Sequence, residues 1–162
     1  MHDEVDRLVQ AWHRERPDLD VAPLEVLSRV SRLSRHLDRA RRAAFAEQDL
    51  EPWEFDVLSA LRRAGEPYQL TPSKLLTQTL VTSGTMTNRI DRLAAKDLVQ
   101  RHPDPADRRG VLVQLSETGR KRVDGAFERL LEQERQLLRS LSPADQSQLA
   151  ALLRTLVLPF DN

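Results

Sequence analysis

The sequence of 162 residues contains no cysteine, and this absence excludes disulfide bonds, thiolate metal sites and cysteine-based redox sensing. It has no apolar run near the ~20 residues that a membrane span needs. The N-terminal stretch MHDEVDRLVQAW is acidic and amphipathic, unlike a secretory signal. Aromatic residues are scarce, at 4% against 31% charged residues, which is typical of soluble helical proteins. We therefore expect a cytoplasmic, single-domain protein without a membrane partner.

A net charge is also lacking, since 25 Lys and Arg balance 25 Asp and Glu. The chain therefore has no overall positive field that would indicate nucleic-acid binding. The local distribution of charge is more informative. Between Arg89 and Arg109 the chain carries six Lys or Arg against four Asp, and Arg108 and Arg109 lie side by side in one loop. The sequence shows no nucleophile elbow, glycine-rich phosphate loop or metal-ligand spacing. We expect no enzyme activity, no cofactor and no bound metal.

Apolar spacing and helix caps predict a mainly α fold. The predicted helices cover residues 3–16, 23–48, 53–64, 71–78, 82–96, 116–139 and 143–158. The second of these has coiled-coil spacing, which favours packing against another long helix, within the chain or across a dimer. Two β-prone runs, 98–102 and 111–115, flank a loop that is longer than a tight hairpin requires. Together these elements predict a winged helix-turn-helix with a small β-wing.

The helix predicted over residues 82–96 has two contrasting faces. Met86, Ile90 and Leu93 form one narrow inward stripe, and small polar side chains with one arginine lie opposite. Such an outer face suits a major groove, where Arg reads guanine, Asn reads adenine and Thr meets phosphate or a thymine methyl. The alternative is a merely solvated face, but the short helix before it and the wing after it favour DNA. The predicted groove and phosphate contacts are Ser83, Thr85, Thr87, Asn88 and Arg92.

The loop over residues 103–110 is the predicted wing tip. Arg108 and Arg109 are expected to reach a minor groove or phosphates, as basic arms do. Asp107 is expected to hold an arginine in place instead of touching DNA. The competing interpretation is an ordinary charged surface loop; the position directly after the candidate recognition helix favours the DNA role.

Residues 53–120 resemble the MarR family of winged-helix regulators, and the stretch DPADRRGVLVQLSETGR matches that family's wing signature. Gly110 stands where a small polar residue is more usual, which predicts a looser end of the loop. The resemblance implies one MarR-like domain over residues 1–162, with dimerisation helices at 1–50 and 116–162 and a DNA-binding lobe at 52–115. It further implies a homodimer on a palindromic operator in double-stranded DNA, acting as a repressor that a small phenolic or anionic ligand releases.

The chain also resembles the urate-responsive branch of that family, which has an extra N-terminal helix carrying a Trp, here Trp12. That branch ties a Trp, an Asp and two Arg to binding a purine-like anion; here Trp12 lies in the extra helix, and Asp56, Arg89 and Arg101 match in order and approximate spacing. The resemblance therefore implies a urate-like effector. By helical projection, Asp56 and Arg89 lie on the half-buried shoulders of their helices, where charges need partners.

Three alternatives remain open at this stage. Asp56 and Arg89 could form only a structural clamp on the recognition helix, in a regulator with a phenolic or carboxylate ligand or with no ligand. The protein could also be a helical dimerisation protein without DNA binding. Finally, six arginines between Arg29 and Arg42 give the second helix a basic side that is either solvated or a contact to DNA or to a partner subunit.

Overall fold

The structure, a computed structural model, describes residues 2–79, 82–107 and 109–161, except for the side chain of Ser83. The chain divides into two compact units, Met1–Ala43 and Ala44–Asn162, which are described separately below. Within the described residues the chain forms seven α-helices, three short strands and one 3₁₀ turn, so the predicted class of a mainly α protein with a small β-wing is confirmed. No helix in these ranges is both long and apolar enough to cross a bilayer.

The helices begin and end close to the predicted positions because their caps are local. Asp3 and Asp6 form a capping box at the start of the first helix, and Ser116 and Ser142 accept backbone N–H bonds at the starts of the last two. Prolines occupy the first turn of three others. The helices are α1 Glu4–Glu15, α2 Pro23–Ala46, α3 Pro52–Arg63, α4 Pro72–Thr79, α5 Ser83–Ala95, α6 Glu117–Leu138 and α7 Pro143–Val157, and the 3₁₀ turn is Leu158–Phe160.

The first unit holds α1 and most of α2. Val5 and Val9 of α1 are buried together with Val21 in a small core. Ion pairs reinforce this contact, since the Arg29 guanidinium lies 2.8 Å from Asp3 Oδ2 and 2.6 Å from Asp6 Oδ1. Leu24 packs on this core and, like Leu37, is half-buried, whereas the unit also exposes several large apolar side chains: Leu8, Trp12, Leu19, Val26, Leu27, Val30 and Leu33.

The second unit contains the winged helix. Strands β1 Gln69–Leu70, β2 Val99–Pro103 and β3 Val111–Leu115 form an antiparallel sheet in the order β1-β3-β2. β2 and β3 make the wing hairpin close to the predicted runs 98–102 and 111–115, with Val99 opposite Leu115 and Pro103 opposite Val111. β1 was not predicted, because two residues are too few to carry an alternating pattern. The sheet closes a core that also takes in the stacked rings of Phe45 and Phe55, with centroids 4.0 Å apart.

The two C-terminal helices differ in how much they bury. α6 contributes Val123, Ala126 and Leu130 to the core of the second unit. α7, which is described over its whole length, has no buried residue. The exposed large apolar side chains of this region are Phe127, Leu137, Leu138, Leu152, Leu156, Val157, Leu158 and Phe160. An apolar helix end with so little burial in its own chain is typical of an interface.

Candidate nucleic-acid interface

Helix α5 has the two faces that its sequence predicts. Met86, Ile90 and Leu93 are at most 2% exposed and anchor the helix in the core. Thr85, Asn88 and Arg92 are exposed. A helix anchored by one narrow stripe presents the rest of its surface to solvent, and here that surface carries hydrogen-bonding groups instead of apolar ones.

The predicted contact residues on α5 keep to this outer surface. The Thr85 hydroxyl lies 2.9 Å from that of Thr82, so it is oriented at the start of the helix. Thr87 is exposed, and Gly84 has open space where a Cβ would stand, which leaves room for a close approach by a partner. The Ser83 side chain lies outside the described residues, so its predicted contact stays a sequence-based proposal.

The wing tip is an ordered turn. Asp104 Oδ1 accepts the N–H of Ala106 at 2.8 Å, and Asp107 Oδ1 accepts the N–H of Arg109 at 2.9 Å. These side-chain bonds fix the backbone at Ala106 and at Arg109, as Asx turns do. Asp107 thus holds Arg109 through its backbone, and the Arg109 side chain is exposed. Arg108 lies outside the described residues.

Gly110 closes the wing instead of loosening it, so that expectation was wrong. Its N–H donates to the Asp107 carbonyl at 2.8 Å, and its carbonyl accepts from the Asp104 N–H at 3.0 Å. A Cβ at position 110 would stand 2.8 Å from the Asp104 Cβ and 3.1 Å from the Asp107 Cβ. A side chain at this position would therefore force the Asp104 side chain or the turn to shift.

Trp53, near the start of α3, contacts two arginines of α5. The guanidinium carbon of Arg89 lies 5.3 Å from the centre of the indole, and that of Arg92 lies 4.7 Å from it. The indole N–H donates to Glu51 Oε2, and Arg92 Nη2 is 3.5 Å from the same oxygen. An open recess of about 400 Å³ on the outer surface of α5 is lined by the indole, the two arginines and three further residues of the helix, Gly84, Thr85 and Asn88.

A buried carboxylate fixes α3 to the other end of α5. Glu54 is fully buried, and its Oε1 lies 2.7 Å from Lys96 Nζ, just beyond the end of α5. Its Oε2 accepts the backbone N–H of Glu51 at 2.9 Å. Oε1 has this ion-pair contact but no hydrogen bond among the described residues, so Lys96 compensates the charge and holds the start of α3 against the end of α5.

The four residues of the predicted ligand set have different environments. Trp12 belongs to the first unit and is 48% exposed, beside Leu8 in an open patch on α1. Arg89 is half-buried as predicted, but it contacts Trp53 on the side of α5 that Arg92 also uses. Arg101 lies in β2, and its Nη2 donates to Asp91 Oδ1 of α5 at 2.6 Å.

Asp56 departs from the prediction, because it is exposed and not half-buried. Its neighbours Phe55 and Val57 are both buried, and this broad apolar side of α3 leaves position 56 on the outer side. Arg92 was predicted to point outward from α5 and Arg89 to point back towards Asp56. In the structure the guanidinium groups of both arginines instead converge on the Trp53 indole.

Four residues of the site were not recognised from sequence: Glu51, Trp53, Glu54 and Asp91. Glu51 and Glu54 have the Glu-x-x-Glu spacing of a capping box, which could have indicated the start of α3. The Trp53 contacts and the Asp91–Arg101 pair join different elements, so no local pattern contains them.

Comparison with known proteins identifies relatives of this chain. A family model described as the MarR family matches residues 48–110. The chain is 39% identical to the HTH-type transcriptional regulator PecS of Dickeya dadantii, over 93% of this chain and 90% of that protein.

Solved structures share the fold. A mutant MarR of E. coli complexed with operator DNA has a TM-score of 0.69 and 28% identity, covering 85% of this chain and 95% of that one. A structure of Bordetella bronchiseptica BpsR, on regulation of its DNA binding by 6-hydroxynicotinic acid, has a TM-score of 0.59 and 30% identity, covering 79% and 98%.

Proposed function

The chain belongs to the MarR family of winged helix-turn-helix transcriptional regulators, and we propose that it is a homodimeric repressor released from a pseudo-palindromic operator by a small planar anion. The observation that carries the DNA-binding part is the division of α5. Met86, Ile90 and Leu93 are buried while Thr85, Asn88 and Arg92 are exposed, beside an ordered wing that ends in an exposed Arg109.

The proposed contacts follow from the chemistry of these side chains. Asn88 and Arg92 lie one turn apart and suit the edges of adenine and guanine in a major groove. Thr85 and Thr87 suit phosphates at the edge of the groove, as would Ser83 at the start of the helix. Arg108 and Arg109 suit the neighbouring minor groove or its phosphates. Asn88 and Arg92 would thus read the bases, while the wing and the hydroxyl groups of the helix would position the protein on the backbone.

The homodimer is supported by the apolar side chains that the terminal helices leave exposed. α7 buries none of its residues in its own chain, although Leu152 and Leu156 lie one turn apart on it. α2 exposes Val26, Val30 and Leu33 at alternating steps of four and three. A second copy supplies the same exposed surfaces, so a two-fold interface would cover both partners at once. Two recognition helices related by that symmetry would meet a palindromic site.

The ligand part of the proposal assigns Trp12, Asp56, Arg89 and Arg101 to a urate-like anion. Arg101 pairs with the exposed Asp91, and exposed ion pairs are weak, so an anionic ligand can compete for this arginine. Arg89 and Asp91 both lie on α5, and a ligand that engages Arg89 or Arg101 therefore acts on the recognition helix directly. BpsR responds to 6-hydroxynicotinic acid, which is also a planar nitrogen heterocycle with a negative charge. A ligand that binds better to the DNA-incompetent arrangement lowers operator affinity.

The second candidate is a regulator whose ligand is a different phenolic or carboxylic acid, or which has none, with Arg89 only clamping α5. The contact of Arg89 with Trp53 favours this possibility, because it gives that arginine a structural partner. Arg89→Ala separates the two. A sensor loses the ligand response first, whereas a clamp loses stability or DNA affinity without a specific loss of response.

Operator binding measured by fluorescence anisotropy tests the proposal. The probe is a duplex selected from a random-sequence library by the full-length protein, and urate, 6-hydroxynicotinate and benzoate are added in parallel. We expect urate to raise the Kd by about tenfold, and Arg101→Met to remove that response. Arg122→Met, which breaks an exposed pair with Asp49 elsewhere, is the matched control. No response to urate at millimolar levels would eliminate the urate assignment and leave the DNA proposal intact.

A further inference from the structure

The contact between Trp53 and the two arginines is unusual in its placement. Arg89 and Arg92 lie three residues apart on α5, so their side chains leave the helix on neighbouring sides of one turn. Both guanidinium groups nevertheless end within 5.3 Å of the centre of one indole, which comes from a different helix. Trp53 is half-buried, so one part of the ring packs against the core while the rest stays at the surface.

The partners of Arg92 leave its hydrogen-bonding capacity available. A guanidinium attracted to a ring face gives up no N–H donor to that ring. Glu51 Oε2 accepts the indole N–H, and its 3.5 Å separation from Arg92 Nη2 is long for a hydrogen bond. The negative charge therefore attracts Arg92 without occupying its donors, and the carboxylate also fixes the plane of the indole.

The recess beside the indole faces the predicted reading side chains. Gly84, Thr85 and Asn88 line it together with both arginines, and Gly84 leaves open space there. Whatever approaches α5 from outside therefore meets the arginines where the indole holds them. A long arginine side chain that is free on a helix surface loses much rotamer freedom on binding, and one already held loses less.

We infer that Trp53 is a positioning residue of the DNA interface, with its ring face holding Arg92 in the orientation that reads the operator, Arg89 contacting the same ring and Glu51 fixing the ring. This inference rests on the proposed function, since it requires that α5 enters DNA. Trp53 acts through Arg92, and its loss lowers specific binding more than it lowers stability or nonspecific binding.

The chain offers a matched control in the same lobe. The guanidinium carbon of Arg62 lies 4.9 Å from the centre of the Tyr68 ring, a similar contact that involves no residue of α5. Tyr68→Leu removes that contact as Trp53→Leu removes the other. Trp53→Phe keeps an aromatic face and loses the indole N–H, so it separates the ring face from the bond to Glu51.

The experiment measures binding of each variant to the selected operator and to a scrambled duplex of the same composition, together with the midpoint of thermal unfolding. We expect Trp53→Leu to weaken operator binding about tenfold and scrambled-duplex binding less than about twofold, because phosphate contacts remain. Trp53→Phe should stay within about threefold of the natural chain, since cation–π attraction persists with Phe. Tyr68→Leu should leave the ratio of the two affinities unchanged.

The outcomes are distinguishable. If the natural chain binds both duplexes equally, the proposed function fails, and this inference fails with it. If the natural chain discriminates and Trp53→Leu discriminates equally well, only the positioning role is overturned. Equal losses in Trp53→Leu and Trp53→Phe would overturn the role of the ring face. An equal fall in both affinities that tracks the unfolding temperature, as in Tyr68→Leu, would make Trp53 merely structural.

Discussion

The winged-helix lobe and the terminal helices bury their apolar side chains to different extents. In the lobe, the apolar side chains of α3, α5 and β3 fill a common core, and even the carboxylate of Glu54 is buried with a partner. In α7 no residue is buried, and α2 buries only Ala44 and Phe45 near its end. The lobe is thus stabilised within one chain, whereas the terminal helices carry surface that a second chain would complete. The proposed function accordingly assigns the reading of DNA to the lobe and assembly to the terminal helices.

The largest effect is expected from placing charge on the terminal surface. The double variant Leu152→Glu, Leu156→Glu should turn the dimer into a monomer, because charged groups cannot be buried without partners. Operator affinity should fall by at least about a hundredfold, since each half-site then binds alone. Sedimentation and operator titration measure the two effects.

Ala150→Glu is the control for this variant, because it adds charge to an exposed position on another side of α7. It should leave both assembly and operator binding unchanged. A double variant that remains dimeric would remove the distinction drawn between the two regions.

The next effect concerns the buried carboxylate of the lobe. Lys96→Met leaves the Glu54 charge buried without its partner, and we expect the free energy of unfolding to fall by about 3 kcal/mol. Glu54→Gln should cost less, because the remaining cation is 39% exposed and can be hydrated. Arg101→Met breaks an exposed pair with Asp91 and should change stability by less than about 1 kcal/mol. Urea unfolding measures the free energy of unfolding of all three variants. Equal losses of stability in the three would contradict a buried charge pair.

A smaller effect is expected at the wing. Gly110→Ala brings a Cβ within 2.8 Å of the Asp104 Cβ, so the turn that holds Arg109 must distort. Operator affinity should fall by about three- to tenfold, the loss expected for one displaced phosphate contact, with a shallower salt dependence. Gly84→Ala, which meets open space on α5, should instead raise stability by up to about 1 kcal/mol. An unchanged salt slope in Gly110→Ala would contradict the role of the wing.

The smallest effect concerns the exposed ion pairs of the first unit. A hydrogen bond from Arg29 lowers the pKa of Asp3 from 3.8 to about 2, and the Asp3 backbone N–H followed by Arg29 lowers the pKa of Asp6. A carboxyl group whose pKa is lower in the folded state stabilises that state at pH values above its unfolded-state pKa. This stabilisation is lost as the pH falls through the folded-state pKa. The contribution to the docking of α1 should therefore be complete above pH 3.8 and disappear towards pH 2.

Emission from Trp12 in a Trp53→Phe background reports this transition, because Trp12 is then the only tryptophan. Arg29→Met should shift the transition towards pH 3.8. A transition that Arg29→Met leaves in place would show that the ion pairs do not hold α1.

Local and long-range features differ in how well the sequence predicts them. The capped helix starts, the buried stripe of Met86, Ile90 and Leu93, and the two wing strands depend on nearby residues, and all were predicted. The Trp53 contacts depend on how α3 packs against α5, which helical projection of either helix alone does not contain. Asp56 was misjudged for a different reason: the buried side of α3 is broader than the stripe assumed in the projection, and it leaves position 56 on the outer side. Gly110 was misjudged because the side chains that leave little space for a Cβ at this position, Asp104 and Asp107, approach it from across the turn.

The proposal that α5 reads DNA is tested most directly by titrating the selected duplex with the natural chain and with the double variant Asn88→Ala, Arg92→Ala at several salt concentrations. We expect two chains per two-fold symmetric duplex, with half-sites about one helical turn apart. The double variant should lose discrimination against single base changes in each half-site while it still binds in a salt-dependent way. Retention of full discrimination by the double variant would contradict the assignment of α5 as the helix that reads DNA.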